Sequence, residues 1–139
     1  MNLRAFLCAG VVAAAIAAPA RAADKPEDLA QAAAESWLKL TDAGDGAGSW
    51  EQAAKAFKGA LTKEQWTQAL ANVRPPLGKV VSRKLTSREY SEKIPGGPEG
   101  KYVILQYATA FENKPSAVET VTAMLDPDGA WRISGYWIR

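Results

Sequence analysis

Two consecutive prolines, Pro75 and Pro76, divide the sequence into parts with different residue patterns. Before them, apolar residues recur at spacings of three and four, which is the period of an amphipathic helix. After them, short segments rich in Val, Thr, Tyr and Ile alternate with clusters of Gly, Pro, Asn and Asp, a pattern typical of strands joined by turns. Proline lacks the backbone N–H that a helix interior needs. The sequence therefore predicts an α+β chain, with helices first and strands second.

About three helices are predicted before the prolines. The first begins at Asp24, which matches a capping box together with Glu27. The second is short and begins at Ser49. The third begins at Thr62, with Gln65 in the reciprocal capping position, and ends at the prolines. The inward positions that the spacing predicts are Leu29, Ala33, Trp37 and Leu40, then Trp50, Ala53, Ala54 and Phe57, and finally Trp66, Leu70 and Val73.

Four strands are predicted after the prolines. The segments are 79–91, 102–111, 116–125 and 131–138. Their connections are short, so we expect neighbouring strands to pair antiparallel in a meander that packs on the helices. The segment Asp126-Pro127-Asp128-Gly129 favours a type I turn followed by a glycine bulge. This turn pairs Asp126 with Ala130 and Leu125 with Trp131.

The registers of the last two hairpins predict which side chains share a face of the sheet. The turn register places Glu119 opposite Trp137, and a three-residue loop at 113–115 places Tyr107 opposite Val121. A slip by one residue in either hairpin would scatter the apolar residues over both faces. The predicted apolar face carries Val103, Leu105, Tyr107, Phe111, Val121, Ala123, Leu125, Trp131, Ile133 and Trp137.

Glu119 is the one charged residue within this predicted face. A buried carboxylate needs a cation or several hydrogen-bond donors, and Arg83 and Arg139 are predicted to point the same way. Two interpretations remain open, namely the polar floor of a ligand pocket and a salt bridge at the rim of the sheet. For the first, the candidate ligand-binding residues are Glu119, Arg83, Arg139, Thr109, Tyr107 and Trp137.

The N-terminus matches a bacterial export signal. A positive charge at Arg4 is followed by an apolar run and then by Ala20-Arg21-Ala22, which fits the signal-peptidase pattern. The run of roughly 13 residues is shorter than the ~20 that a membrane-spanning helix needs, although an uncleaved anchor is the alternative. We predict a signal peptide at 1–22, cleaved after Ala22, and a single α+β domain at 23–139. The expected location is the periplasm, with the extracellular space as the alternative.

The residue types that are missing restrict the chemistry of the mature domain. The chain has no histidine, and its only cysteine, Cys8, leaves with the signal. Catalytic triads, Cys-His pairs and zinc or haem sites built from His or Cys are therefore excluded. Loss of Arg4 and Arg21 from the 17 basic side chains leaves 15 against 15 acidic ones, which does not favour nucleic acid. We predict no catalytic residue, metal site or cofactor, with a carboxylate-dependent reaction through Glu119 as the alternative.

The leading functional hypothesis is a non-catalytic domain that binds a small ligand or another envelope protein. A cavity between helices and sheet would favour a ligand, whereas a space filled by Trp37, Trp66 and Trp131 would favour a protein. In the second case the edge strand at 79–91 or the loop at 92–100 is the expected contact. No stable membrane span is expected after cleavage, and the oligomeric state stays open.

A series of short motifs runs through residues 28–139. The motifs are Ala34-Glu35-Ser36-Trp37-Leu38, Gly46–Trp50, Thr62-Lys63-Glu64-Gln65-Trp66, Pro76-Leu77-Gly78, Ser82-Arg83-Lys84, Ser116-Ala117-Val118-Glu119-Thr120-Val121 and Gly129-x-Trp131-Arg132-x-Ser134-Gly135-Tyr136. The series resembles the exported bacterial domain-of-unknown-function family numbered 4019. This resemblance implies an exported single domain and supplies no activity and no site residues. The element order is also similar to the cystatin-like and nuclear-transport-factor-2-like (NTF2-like) cone folds.

Overall fold

The computed structural model describes residues 24–139, so the predicted signal peptide lies outside the described residues. The helices are α1 Pro26–Asp42, α2 Gly46–Glu51, α3 Lys55–Ala60 and α4 Lys63–Leu77. The strands are β1 Val80–Ser91, β2 Tyr102–Phe111, β3 Lys114–Leu125 and β4 Trp131–Ile138. They pair antiparallel in the order β1-β2-β3-β4, which confirms the α+β class and the meander. The likeness to the cone folds stays a prediction. Within the described part of the chain, no helix is long and apolar enough to cross a membrane.

The starts of two predicted helices have different causes, a side-chain cap in α4 and a proline in α1. The Thr62 hydroxyl accepts from Gln65 N at 3.1 Å, and Gln65 Oε1 accepts from Thr62 N at 3.0 Å, so the capping box of α4 is confirmed. The box predicted at Asp24 is wrong. Helix α1 has Lys25 as its N-cap without a side-chain hydrogen bond, because Pro26 supplies a helical φ and starts the helix there.

The predicted second helix is two short helices, α2 and α3. Asp45 rather than Ser49 caps α2, since Asp45 Oδ1 accepts from Gly48 N at 2.8 Å. Ser49 lies inside α2, fully buried, and its hydroxyl donates to the carbonyl of Asp45 at 2.7 Å. The break between the helices frees the N–H of Ala54 to donate to the carbonyl of Ile133 at 2.8 Å. The helical half is thereby tied to strand β4.

Aromatic side chains fill the space between the helices and the sheet. Trp37 stacks on Trp66 with ring centroids 5.7 Å apart, and Phe57 and Tyr136 meet Trp37 edge-to-face at 6.2 and 5.2 Å. The indole N–H groups are paired, because Trp37 Nε1 donates to the Ser49 carbonyl and Trp66 Nε1 to the Ser49 hydroxyl, both at 2.8 Å. The two indole donors at the centre of this layer are therefore satisfied within the protein.

Two predicted inward positions, Leu29 and Val73, point to solvent instead. They are 44% and 51% exposed, and Val81 of β1 is 69% exposed. Helix α1 buries Ala30 in place of Leu29, because its small residues let the helix approach the sheet closely. Helix α4 buries Arg74 in place of Val73, since Arg74 pairs with a carboxylate of α1 described below. A register irregularity after Val80 turns the next side chain of β1 outward.

The hairpin between β2 and β3 is tighter than predicted. Phe111 pairs with Lys114 across a two-residue turn, and a register irregularity between Thr109 and Phe111 then places Tyr107 opposite Glu119 rather than Val121. This shift is by two residues, and a shift by an even number keeps each side chain on its face. The predicted membership of the apolar face therefore holds for β2 and β3.

A bulge at Ser134 reverses the faces at the end of β4. The register near the preceding turn is confirmed by the pairs Asp126–Ala130, Leu125–Trp131 and Ala123–Ile133. Beyond it, the extra residue inverts the alternation, because two residues of β4 oppose one of β3. Tyr136 therefore points to the helices, and Trp137 lies on the outer face, where it is 71% exposed. The predicted inward position of Trp137 is wrong, and Glu119 lies opposite Ile138 instead.

Candidate functional site

The six predicted site residues lie on opposite faces of the sheet. The members on the helix-facing side are Glu119, Arg83, Thr109 and Tyr107. Trp137 and Arg139 lie on the outer face, since the bulge at Ser134 also reversed the direction predicted for Arg139. The structure therefore separates the predicted site into a buried cluster and an outer groove.

Glu119 is fully buried and accepts four hydrogen bonds. Arg83 donates from Nε to Oε1 at 2.7 Å and from Nη2 to Oε2 at 3.1 Å. The Thr109 hydroxyl donates to Oε1 at 2.5 Å, and the Tyr136 hydroxyl donates to Oε2. An ionised carboxylate offers about four lone-pair sites. The acceptor capacity of Glu119 is therefore used within the protein, and the expected cation is Arg83, not Arg139.

Arg83 also joins Glu119 to a second carboxylate, on α1. Its Nη1 and Nη2 donate to Asp42 Oδ2 and Oδ1 at 2.8 and 2.9 Å. Arg74 of α4 donates from Nη1 to Asp42 Oδ1 at 2.9 Å, and its guanidinium lies 5.0 Å from the centre of the Phe111 ring. Four alternating charges thus form the ion-pair chain Glu119–Arg83–Asp42–Arg74. It connects the sheet to α1 and α4 and carries no net charge.

Contacts within the ion-pair chain shift the pKa values of its members. Burial acts to raise the pKa of Asp42, but hydrogen bonds and charges from Arg83 and Arg74 outweigh it and hold that pKa below its usual value. Burial acts to lower the pKa of Arg83, and the two carboxylates outweigh it and raise that pKa. Burial and the adjacent Glu119 raise the pKa of Tyr136 well above its usual value. Near neutral pH, Asp42 and Arg83 stay charged and Tyr136 stays neutral.

Two buried polar atoms beside the ion-pair chain have no hydrogen-bond partner within residues 24–139. They are the Tyr107 hydroxyl and Arg74 Nε. Tyr107 is only 2% exposed, and burial raises its pKa. A ligand would reach either atom only by displacing the residues that cover it. The role predicted for Tyr107 as a ligand contact stays a prediction.

A groove of 400 Å³ opens beside Arg74, between α4 and the start of β1. Its two carboxylates are already engaged. Asp42 is held by the arginines, and Glu112 Oε1 accepts from the backbone N–H of Lys79 at 2.7 Å. Among the described residues, no group of three or more Asp, Glu, His or Cys side chains is arranged to hold a metal ion. This groove offers little unpaired recognition chemistry.

The outer face of the sheet carries a larger depression, of 650 Å³. Its floor is a row of neighbours on β2, β3 and β4, in which Thr120 lies between Gln106 and Trp137. The loop between β1 and β2 supplies one wall. We call this depression the outer groove and define it by Ile94, Ile104, Gln106, Thr120, Trp137 and Arg139.

The floor of the outer groove is open beside the indole of Trp137. Gly135 precedes Trp137 on the same face, and a Cβ at Gly135 would meet only the side chain of Thr122, at 3.7 Å.

Sequence reasoning missed Gln106 and Thr120 as members of this surface, and Asp42 and Arg74 as members of the ion-pair chain. Only the bulge had a local signal, because a glycine inside a strand pattern often marks one.

The fold and the site together define an α+β domain in which helices cover one face of an antiparallel meander and leave the other open. The chain belongs to the family described as "Protein of unknown function (DUF4019)", which matches residues 33–136. The predicted family resemblance is thereby confirmed. No curated protein and no solved structure matches the chain. The matched range runs from α1 into β4 and contains the whole ion-pair chain.

Proposed function

We propose that this chain is an exported, non-catalytic binding domain of the periplasm, and that it binds at the outer groove. One observation carries the proposal, which is the exposure of Trp137 on an open sheet face. Apolar residues scattered singly over a surface are normal, whereas a contiguous apolar patch marks an interaction site. Trp137 lines the outer groove together with Ile94 and Ile104. Export rests on the signal-like pattern of residues 1–22.

The buried cluster supports binding over the alternative of a carboxylate-dependent enzyme. A general acid or base must come within hydrogen-bond reach of the substrate. Glu119 is 0% exposed, and its oxygens already accept four bonds. The second acid of the cluster, Asp42, is held by Arg83 and Arg74. This arrangement favours a structural role, in which the cluster joins helices to sheet.

The packing also favours the outer face over the other predicted contacts. Trp37 and Trp66 fill the centre of the space between helices and sheet. A depression of 670 Å³ remains at its margin, beside Trp131, but none of the exposed large hydrophobic side chains within residues 24–139 lines it. Strand β1 is an edge, yet it carries two register irregularities and exposed charges such as Lys84 and Arg88. Such features oppose the addition of another strand. The loop at 92–100 remains relevant, because it forms a wall of the outer groove.

Photo-crosslinking in living cells tests this proposal. The full chain would be expressed in a Gram-negative host with benzoylphenylalanine at position 120, beside Trp137, and the same analogue at position 81 serves as the exposed control. We expect an adduct at position 120 that is missing at position 81 and is lost with Trp137→Ala. Equal labelling at both positions, or an adduct that survives Trp137→Ala, would contradict binding at the groove.

Export is checked on the same material. The periplasmic fraction should contain a protein whose mass is that of residues 23–139. Recovery of only the uncut chain, or recovery only from the cytoplasm, would contradict export and would leave the crosslinking result to be judged separately.

A further inference from the structure

We propose that the outer groove binds a saccharide, with a pyranose ring stacked on Trp137. This inference rests on the proposed function and names its ligand class. The C–H face of a pyranose is apolar and its rim is made of hydroxyls, so it needs an exposed aromatic ring surrounded by hydrogen-bonding side chains. The outer groove supplies both.

The polar groups of the groove match a polyhydroxylated ligand. Thr120 and Thr122 lie side by side on β3, and the structure gives their hydroxyls no partner within residues 24–139. Gln106 adds an amide whose oxygen lies 3.5 Å from the Ser87 hydroxyl, which leaves its N–H donors for a ligand. Hydroxyls and amides both donate and accept. Sugar hydroxyls do the same, so the two sets are complementary.

Charge complementarity narrows the ligand further. Among residues 24–139, Arg139 is the one charged side chain that lines the groove. A single cation does not balance a polyanion such as a nucleic acid, whose binding requires several Lys or Arg contacts. It suits a neutral sugar, or one with a single carboxylate that accepts from the guanidinium.

An extended peptide and a purely apolar partner fit this surface less well. A peptide that adds to a sheet gains its affinity from main-chain hydrogen bonds at an edge, whereas the side chains of the groove project from the face of β2, β3 and β4 and not along the free edge of β4. An apolar partner would bury the hydroxyls of Thr120 and Thr122 unpaired, at a cost of about 1–3 kcal/mol each. The groove volume of 650 Å³ is in the range of small-molecule sites, about 300–1,000 Å³.

Calorimetric titration tests the inference. The protein, expressed as the full chain and purified after export, would be titrated with two defined probes, neutral chitotriose and acidic trigalacturonate. We expect at least one to bind, and Trp137→Ala to weaken that binding at least about tenfold. Trp137→Phe, which keeps an aromatic face, should retain part of the affinity. Val81→Ala is the control, because Val81 is equally exposed but lies outside the groove.

The Arg139→Gln variant separates the two sugar classes. If Arg139→Gln selectively lowers the affinity for trigalacturonate, the ligand is a carboxylated sugar. If the unsubstituted protein binds both probes with equal affinity, the ligand is a neutral sugar. Unchanged binding in Trp137→Ala, in protein whose urea unfolding is unaltered, would overturn the inference. So would the failure of both probes to bind. If neither probe binds but the adduct at position 120 is still formed and still depends on Trp137, the proposed function is retained and only the saccharide inference is refuted.

Discussion

Replacement of Arg83 by methionine should destabilise the fold strongly, because it leaves the carboxylate of Glu119 buried without its cation. Arg83 supplies two of the four hydrogen bonds to Glu119, and Glu119 is 0% exposed, so bulk water cannot replace them. Loss of one partner from a buried ion pair costs about 3–5 kcal/mol. We expect the lower end, about 3 kcal/mol, because the Arg83 side chain is itself 17% exposed. For a domain of this length, that loss lowers Tm by about 12 °C.

Urea unfolding followed by tryptophan fluorescence measures this free energy directly. The matched control is Arg88→Met, the same substitution on the same strand. Arg88 Nη1 lies 2.6 Å from Asp28 Oδ1, but the two side chains are 36% and 48% exposed. Such exposed pairs contribute little to stability, so the control variant should unfold close to the unsubstituted protein.

A second substitution distinguishes a stranded charge from a simple loss of packing. In the variant with both Arg83→Met and Glu119→Met, no fully buried carboxylate is left without a cation, because Asp42 is partly exposed and keeps Arg74. Much of the stability should therefore return. The reasoning is refuted if Arg83→Met costs no more than Arg88→Met. It is equally refuted if the double variant loses the sum of the two single losses, because the two residues would then not be coupled.

Three further predictions concern ionisation and capping. The folded pKa of Asp42 lies below its ordinary 3.8, so the stability that Asp42 contributes is present above that pH and is lost as the pH falls towards the folded value. In Asp42→Asn, the free energy of unfolding measured with urea should therefore fall less steeply as the pH is lowered. The folded pKa of Tyr136 lies above its ordinary 10.0, so the stability that Tyr136 contributes is present below that pH and is lost as the pH rises further. Tyr136→Phe should remove this loss of stability at alkaline pH. The absorbance of tyrosinate should then show one fewer tyrosine that ionises at high pH. Thr62→Ala should lower the free energy of unfolding by about 1 kcal/mol and Thr62→Ser by much less, since serine restores the cap; equal losses in the two variants would show that the capping box contributes nothing.

The parts of the fold that the sequence predicted have local causes. The Thr62 capping box and the turn at Asp126-Pro127-Asp128-Gly129 are determined by residues a few positions apart, and both formed as expected. The predicted face of Tyr107 survived an incorrect register, because side chains alternate with a period of two and the error was even. Local chemistry and periodicity therefore predicted the α+β order and most of the core.

The parts that the sequence did not predict depend on contacts between distant residues. Arg74 pairs with Asp42 from 32 positions away, and no pattern within α4 shows that an arginine is buried while Val73 faces water. The pairing of Arg83 with Glu119 spans 36 positions and was predicted only because both fell on one face of the sheet. The bulge at Ser134 was missed because the spacing of apolar residues in β4 suits a regular ladder equally well.

That bulge links the buried cluster to the outer groove. Adjacent residues of a strand point to opposite faces, so a bulge that turns Tyr136 towards Glu119 must turn Trp137 outward. A regular ladder would bury the indole and remove one of the four donors to the carboxylate. A hydrogen bond to a charged group contributes about 1.5–3 kcal/mol, comparable to the 1.5–3 kcal/mol forgone by leaving a large apolar side chain exposed. The cluster thus explains why residue 137 points outward but not why it is a tryptophan. A polar residue at position 137 would leave Tyr136 free to donate to Glu119 equally well. The presence of a tryptophan at that position is what a binding function at the outer groove explains.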